Sequence, residues 1–352
     1  MTQVSAFGYS APALRQRTVM YPLLARHPLP ALSGQRLFIT GGTGFVGRWL
    51  LAAIAALNDG GAAIEVTLLS RRPKTFIDAN PGLGSLPWLH LASGDIGDYE
   101  FPPGRFDALI HGATDTSPAA CSEASLLSGQ TRGMHHVIDH AYAAGVRRLL
   151  CISSGAVYGE QAATDERLLE DAPLPVLAID DFYGRSKRAM EAIAADATRR
   201  DGAPETVIAR CFSFIGEGLP PHLAVSRFVA DALAGRDIVL TGDGRPVRSY
   251  LDAADMAVWL LALLAGGKAG RTYNVGSPHA RSLEEIAVLV RDTLAPGRAV
   301  RILGQDAGAP RQRYVPDTRR IEAELGVACW TPLEESFYRM ATAGQEDVPA
   351  PR

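Results

Sequence analysis

The sequence predicts an α/β protein built on a doubly wound parallel sheet (a Rossmann fold) with a smaller C-terminal lobe. From Arg36 onward, short apolar runs alternate with helix-like segments, a pattern that implies right-handed crossovers and parallel strands. The first run, Leu37-Phe38-Ile39, suits a strand buried on both faces, and Gly41, Gly44 and Gly47 follow it at the opening of an apolar helix. Each glycine meets a separate need. Gly41 takes the tight turn out of the strand, Gly44 lets a pyrophosphate approach the backbone, and Gly47 lets the helix pack close to the sheet. The first-turn amides then face an anion, so the stretch Gly41, Thr43, Gly44, Phe45, Val46 and Gly47 predicts a dinucleotide site. A plain strand-to-helix turn would use two of the same glycines.

The elements follow in order. Strands are expected at 36–40, 64–69, 89–92, 107–111, 147–152 and 205–210, and helices at 45–57, 124–144 and 181–200. Residues 1–35 carry prolines at 12, 22, 28 and 30 without a sustained period and read as an irregular extension over the surface. After Arg210, Gly216, Gly218, Pro220 and Pro221 interrupt the pattern, a helix is expected from about 222 to 234, and turn-rich segments alternate with short helices to about 340. Residues 36–212 and 246–276 are therefore assigned to the dinucleotide-binding domain, and 213–245 and 277–345 to a substrate lobe over the C-terminal edge of the sheet.

Composition limits the alternatives. In 352 residues, 47% hydrophobic and 21% charged, Lys+Arg 35 nearly balance Asp+Glu 38, for a formal net charge of -3. That balance offers no general attraction to nucleic acid or to an anionic membrane. Cys121, Cys151, Cys211 and Cys329 are too scattered for a zinc cluster or a disulfide framework, which fits a reducing cytoplasm. The most apolar run, 257–265, is too short to span a bilayer.

Several strand ends carry chemistry. The second strand ends at Ser70-Arg71-Arg72, where a carboxylate would hold ribose hydroxyls and an arginine pairs with a 2′-phosphate. This favours NADP over NAD, although solvated arginines before Pro73 would read the same way. Asp95, followed by Ile96, can bond an adenine amino group or close an Asx turn. Gly112, Ala113 and Thr114 leave the fourth strand as small residues that a nucleotide backbone can approach, and a structural turn would use them equally. Ser153 and Ser154 stand at the end of the fifth strand, where a hydroxyl can bond a carbonyl or an alcohol. Tyr183 and Lys187, four apart on one helical face, set an ammonium near a phenol and favour its phenolate.

The chain resembles the extended short-chain dehydrogenase/reductases, and among them the nucleotide-sugar epimerases, dehydratases and reductases. Thr40-Gly41-Gly42-Thr43-Gly44-Phe45-Val46-Gly47, Gly94-Asp95-Ile96, Ser153 to Gly159, Tyr183 with Lys187, Gly242-Asp243-Gly244, Arg248-Ser249-Tyr250 with Asp255, and Tyr273-Asn274-Val275-Gly276 carry the likeness. The resemblance implies that Ser154 and Tyr183 face a sugar, and that Lys187 holds the nicotinamide ribose and lowers the Tyr183 pKa. It implies a cofactor wall that includes Ser153 and Phe212. Arg248 would contact a sugar-nucleotide diphosphate, with Arg313 as a second ligand and Ser213 in place of a sugar-contacting asparagine. A homodimer through helices 124–144 and 181–200 is expected, with Leu126, Leu127, Val137, Ile138, Met190 and Ile193 exceeding what one packing face needs.

Dehydratases of this group carry an Asp-Glu pair directly after the hydroxyl residue, where this chain has Gly155 and Ala156. The expected activity is NADPH-dependent reduction of a 4-keto nucleotide sugar. The alternatives are an NDP-sugar 4-epimerase holding NAD and a non-catalytic dinucleotide sensor, which loss of Tyr183 or Lys187 would mark.

Overall fold

The computed structural model describes residues 16–114, 123–162, 164–305 and 312–343. Cys121 lies outside them. A helix over residues 16–26 (α1) precedes the first strand. It corrects the expectation of an irregular extension: Met20, Leu23 and Leu24 recur at helical spacing and are buried in the main core with Leu29 and Leu32.

The first half then runs β1 (Arg36–Thr40), α2 (Phe45–Asp59), β2 (Glu65–Ser70), α3 (Pro73–Ala79), α4 (Pro81–Gly84), β3 (Leu89–Ser93), β4 (Ala108–His111), α5 (Glu123–Ala143), β5 (Arg148–Ser154), α6 (Phe182–Ala197) and β6 (Glu205–Cys211). Predicted strands and helices all recur within a few residues of their expected bounds. The second half adds β7 (Ser213–Ile215), α7 (Ala224–Leu233), β8 (Ile238–Leu240), β9 (Val247–Arg248), β10 (Tyr250–Asp252), α8 (Ala253–Gly266), β11 (Thr272–Val275), β12 (Arg281–Ser282), α9 (Leu283–Leu294), β13 (Val300–Ile302), β14 (Arg313–Tyr314), α10 (Arg319–Leu325) and α11 (Leu333–Ala343).

Seven strands form one parallel sheet in the order β11-β6-β5-β4-β1-β2-β3. The order reverses between β1 and β4, so a crevice opens at their C-terminal ends. On one face α2 packs against α8, whose residues 253–264 are all buried, which is why its sequence lacks a polar stripe. Asp255 on α8 accepts from Trp330 N, Thr331 N and Thr331 Oγ1 at 2.9 to 3.0 Å, tying down the segment before α11. On the other face α5 and α6 pack together.

Of the apolar residues expected to serve a dimer, Val137, Ile138 and Met190 are buried in the chain's own core, whereas Leu127 is exposed. The C-terminal elements α7, α9 and α11 share a separate core around Phe228, Ile286 and Phe337. Beside it, β9 pairs with β12 and β14.

Candidate active site

The crevice is a cleft of about 690 Å³ that runs from the first glycine turn to Tyr183. At its floor Gly41 has φ +74, and a Cβ there would collide with the backbone of Gly112 and Ala113. Two strand exits thus meet without side chains. Thr40 Oγ1 accepts from Gly112 N and Ala113 N, each at 3.3 Å, and lies 2.9 Å from His111 Nδ1. Burial, aided by the nearby Lys187 charge, pushes the His111 pKa down to about 3, so this imidazole stays neutral. A Cβ on Gly47 would overlap Gly42, while one on Gly44 would meet only Gly41 O at 3.4 Å. Gly47 is thus pressed against the turn itself rather than the sheet, and Gly44 stands open.

At one end the cleft is lined by Ser70, Arg71, Asp95 and Ile96. Arg72 is exposed and does not line it, and its amide donates to Ser70 Oγ at 3.2 Å. Asp95 Oδ1 accepts from Gly97 N at 3.1 Å, the Asx turn that the sequence left open, and lies 3.9 Å from Arg132. Arg132 lines the same end, and sequence reasoning missed it. It also missed Gln130. Gln130 Nε2 donates to Ala113 O at 3.2 Å, and its buried Oε1 has no hydrogen-bond partner among the described residues. An unpartnered buried acceptor on the cleft wall is what a ligand donor would satisfy. Together with the glycine cradle, it makes the residues present fit a dinucleotide.

At the other end lie Gly112, Ala113, Thr114, Ser153, Ser154, Tyr183, Lys187, Cys211 and Phe212. Lys187 is buried, and its ammonium donates to Thr114 Oγ1 at 2.6 Å and to Ile152 O at 3.1 Å. Burial lowers its pKa to about 8. The ammonium lies 5.9 Å from the Tyr183 ring centre.

Burial raises the Tyr183 pKa, and the nearby Ser154 hydroxyl pulls it back. Ser153 Oγ turns inward and donates to Glu191 Oε1 at 2.5 Å, which commits its proton. Cys151 and Cys211 beside Lys187 are pushed up to about 12 by burial and stay thiols.

Ser213, Arg248 and Arg313 do not line this cleft. Ser213 pairs with Tyr250 between β7 and β10. Arg248 and Tyr314 are register partners in β9 and β14, and Arg248 faces Arg281 of β12. Arg313 Nε donates to Glu166 O at 2.8 Å. The Tyr314 hydroxyl oxygen stands 2.5 Å from where a Cβ on Gly155 would lie, which brings this small sheet up to the turn after Ser154. No described helix is long and apolar enough to cross a membrane. Among the described residues no cluster of His, Cys, Asp or Glu is arranged to hold a metal.

The model of the NAD dependent epimerase/dehydratase family matches residues 37–276. The dTDP-glucose 4,6-dehydratase of an Actinoplanes species is 26% identical over 301 residues, 83% of this chain and 92% of that protein. UDP-glucuronic acid decarboxylase 1 of Arabidopsis thaliana is 26% identical over 314 residues, 87% of this chain and 69% of that protein. Among solved structures, the Streptomyces venezuelae dTDP-glucose 4,6-dehydratase with NAD and TYD bound superposes with a TM-score of 0.74 at 26% identity, covering 89% of this chain and 97% of that one.

Proposed function

The chain belongs to the NAD dependent epimerase/dehydratase family, and from that premise we propose that it is an NADPH-dependent reductase of a 4-keto nucleotide sugar. The observation that carries this reading is the set of proton-transferring groups on the cleft wall. Among the described residues, those at the Tyr183 end are Tyr183, Ser154, Lys187 and a thiol, and the one described carboxylate lining the cleft, Asp95, lies at the other end. Removing water from a sugar needs an acid and a base beside the carbons concerned. Next to Ser154 stand Gly155 and Ala156, and a Cβ on Gly155 would already lie 2.5 Å from Tyr314 Oη. That environment suits interconversion of ketone and alcohol.

When bound, the dinucleotide supplies the hydride. Tyr183 gives its proton to the developing alkoxide, and Ser154 holds that oxygen by a hydrogen bond. Lys187 donates toward the ribose while Thr114 and Ile152 fix its ammonium. Gly41, Gly44 and the first turn of α2 bind the pyrophosphate through backbone amides. Arg71 and Arg132 flank the adenosine end and favour a 2′-phosphate. Phe212 forms a wall, and Arg248 with Arg313 takes the diphosphate of the sugar nucleotide. A homodimer through α5 and α6 is part of the same reading, with Leu127 on the exposed side.

The test is to denature the purified protein and identify what it releases, then to follow single-turnover oxidation of NADPH with a 4-keto nucleotide sugar. A released stoichiometric NAD⁺ and no NADPH oxidation would replace the reductase with a 4-epimerase.

A further inference from the structure

The small sheet beside the cleft carries two arginines on one rung. Arg281 of β12 and Arg248 of β9 are antiparallel register partners, and Tyr314 of β14 is the parallel partner of Arg248 on its other side. Side chains alternate between the two faces along a strand, so register partners share a face. Arg281, Arg248 and Tyr314 therefore form one row across the sheet.

Tyr314 shows where that face points. Its hydroxyl oxygen stands 2.5 Å from where a Cβ on Gly155 would lie, and its ring packs on Phe212, a wall of the cleft, with centroids 4.6 Å apart. The row thus starts at the turn after Ser154 and runs outward, in steps of about 4.8 Å from strand to strand, to Arg248 and then to Arg281. Arg248 is half-buried and Arg281 exposed.

Like charges directly opposite each other destabilise a sheet. The neighbours of this pair do not offset the repulsion. Arg248 Nη1 donates to Val247 O at 2.9 Å and Nη2 to Gln312 Oε1 at 3.5 Å, both uncharged acceptors. Glu285, on the helix that follows β12, turns back to close the capping box of α9, and its Oε2 accepts from Ser282 N at 2.5 Å. Among the described residues, neither Arg248 nor Arg281 pairs with a carboxylate. Two such guanidinium groups on one face, at the rim of a reacting site, suit an anion that carries more than one charge.

We propose that Arg281 is a further substrate-binding residue: beside Arg248 it adds a third guanidinium to the site that takes the diphosphate of the sugar nucleotide, while the sugar lies by Tyr314 and Ser154. This rests on the reading of the substrate as a nucleotide sugar and holds for a reductase or an epimerase alike. The bound diphosphate relieves the repulsion between Arg248 and Arg281, so binding and ligand-free stability respond to Arg281 in opposite directions.

The test measures binding of UDP, dTDP, GDP and CDP to the full chain by calorimetry, for the wild type, Arg281→Gln and Arg281→Lys. The diphosphate that the wild type binds most tightly should bind Arg281→Gln about tenfold to a hundredfold more weakly, the worth of one charge-assisted contact. Arg281→Lys should recover part of that loss, and the corresponding monophosphate should be weakened less than the diphosphate. Without ligand, Arg281→Gln should unfold at the wild-type midpoint or up to about 2 °C above it.

A wild type that binds none of the four diphosphates would overturn the nucleotide-sugar reading and this site with it. Equal affinities of the wild type and Arg281→Gln for a diphosphate that does bind would overturn the site and leave that reading standing. Weaker binding accompanied by a lowered ligand-free midpoint would make Arg281 a structural residue and overturn the proposal too.

Discussion

Lys187 Nζ and Thr114 Oγ1 lie 2.6 Å apart, and a second bond from the same ammonium to Ile152 O, at 3.1 Å, joins the exits of β4 and β5. Because burial lowers the Lys187 pKa from 10.5 to about 8, the folded chain loses between those values a proton that the unfolded chain keeps. The contribution of this group to stability therefore rises with pH over that window. Its contribution to ligand binding runs the opposite way. Above about pH 8 the positive donor fades, so NADPH affinity of the wild type should fall, by roughly fivefold for a weakened charge-assisted bond. Lys187→Met should bind more weakly at every pH and lose this pH dependence. Fluorescence titration of NADPH across the range checks both, and a wild-type affinity flat through pH 8 would remove Lys187 from the cofactor site.

Tyr183→Phe should keep fold and ligand binding while kcat falls by about 10² to 10⁴, the usual worth of a positioned acid or base. Ser154→Ala should lose less, and it carries a directional signature. The Ser154 hydroxyl pulls back a phenol pKa that burial raises, so without it the Tyr183 limb must move upward. For ketone reduction Tyr183 has to be protonated, and activity in Ser154→Ala should persist to higher pH than in the wild type. A downward movement would contradict the role given to Ser154.

NADPH should bind more tightly than NADH. Arg71 and Arg132 both line the adenosine end, and Ser70, at the end of β2, offers the ribose no carboxylate of its own. Arg71→Ala or Arg132→Ala should each cost about 1.5 to 3 kcal/mol in NADPH binding, roughly tenfold to a hundredfold, with NADH affected far less. Equal wild-type affinities would assign the site to NAD.

The parts of the site legible in the sequence were those held by backbone. Gly41 and Gly47 announce a turn whose sterics allow little else, and a strand's C-terminal end locates Gly112 and Ser154 along the sheet edge. Side chains arriving from distant elements left no such mark. Gln130 and Arg132 lie in a helix recognised from its apolar positions, and nothing local says which polar residues face the cleft. Tyr314 comes from a two-residue strand some 130 positions beyond Tyr183 in the chain, where no periodicity can be read. The setting of Lys187 was hidden for a related reason. Spacing puts Lys187 on the same helical face but cannot reveal that Thr114 and Ile152 hold its ammonium. Helix α1 had its pattern in Met20, Leu23 and Leu24, obscured by Pro22 within it and the prolines around it.

Helix α1 should be a working part of the core. Met20 has 0% relative exposure and Leu23 5%, so Met20→Ala and Leu23→Ala should each destabilise by about 2 to 5 kcal/mol. Cofactor affinity per folded molecule should stay at the wild-type level, since neither residue lines the cleft. Thermal unfolding of both variants checks this, and unchanged midpoints would detach α1 from the core.

The last prediction concerns the ion pair beneath the reacting end. Glu191 on α6 accepts from Arg210 Nε at 3.1 Å, from Arg210 Nη2 at 2.8 Å and from Ser153 Oγ at 2.5 Å. The two side chains are only 7% and 9% exposed. Arg210 also lies 4.8 Å over the Tyr158 ring and donates to Glu170 O at 3.3 Å. Every partner except the Glu191 carboxylate is neutral, so Glu191→Ala leaves a guanidinium buried without a counter-charge and should cost about 3 to 5 kcal/mol. Glu191→Gln keeps an acceptor for Arg210 and should be milder. Replacing both, as Glu191→Leu with Arg210→Met, removes the stranded charge and should recover much of the stability lost by Glu191→Ala. Activity separates structure from chemistry: Glu191 lies one helical turn after Lys187 and does not line the cleft, so the folded double variant should retain Tyr183-dependent turnover. Denaturant midpoints and single-turnover rates of the four proteins decide it. A double variant as unstable as Glu191→Ala would mean that the pair serves packing that Leu and Met cannot reproduce.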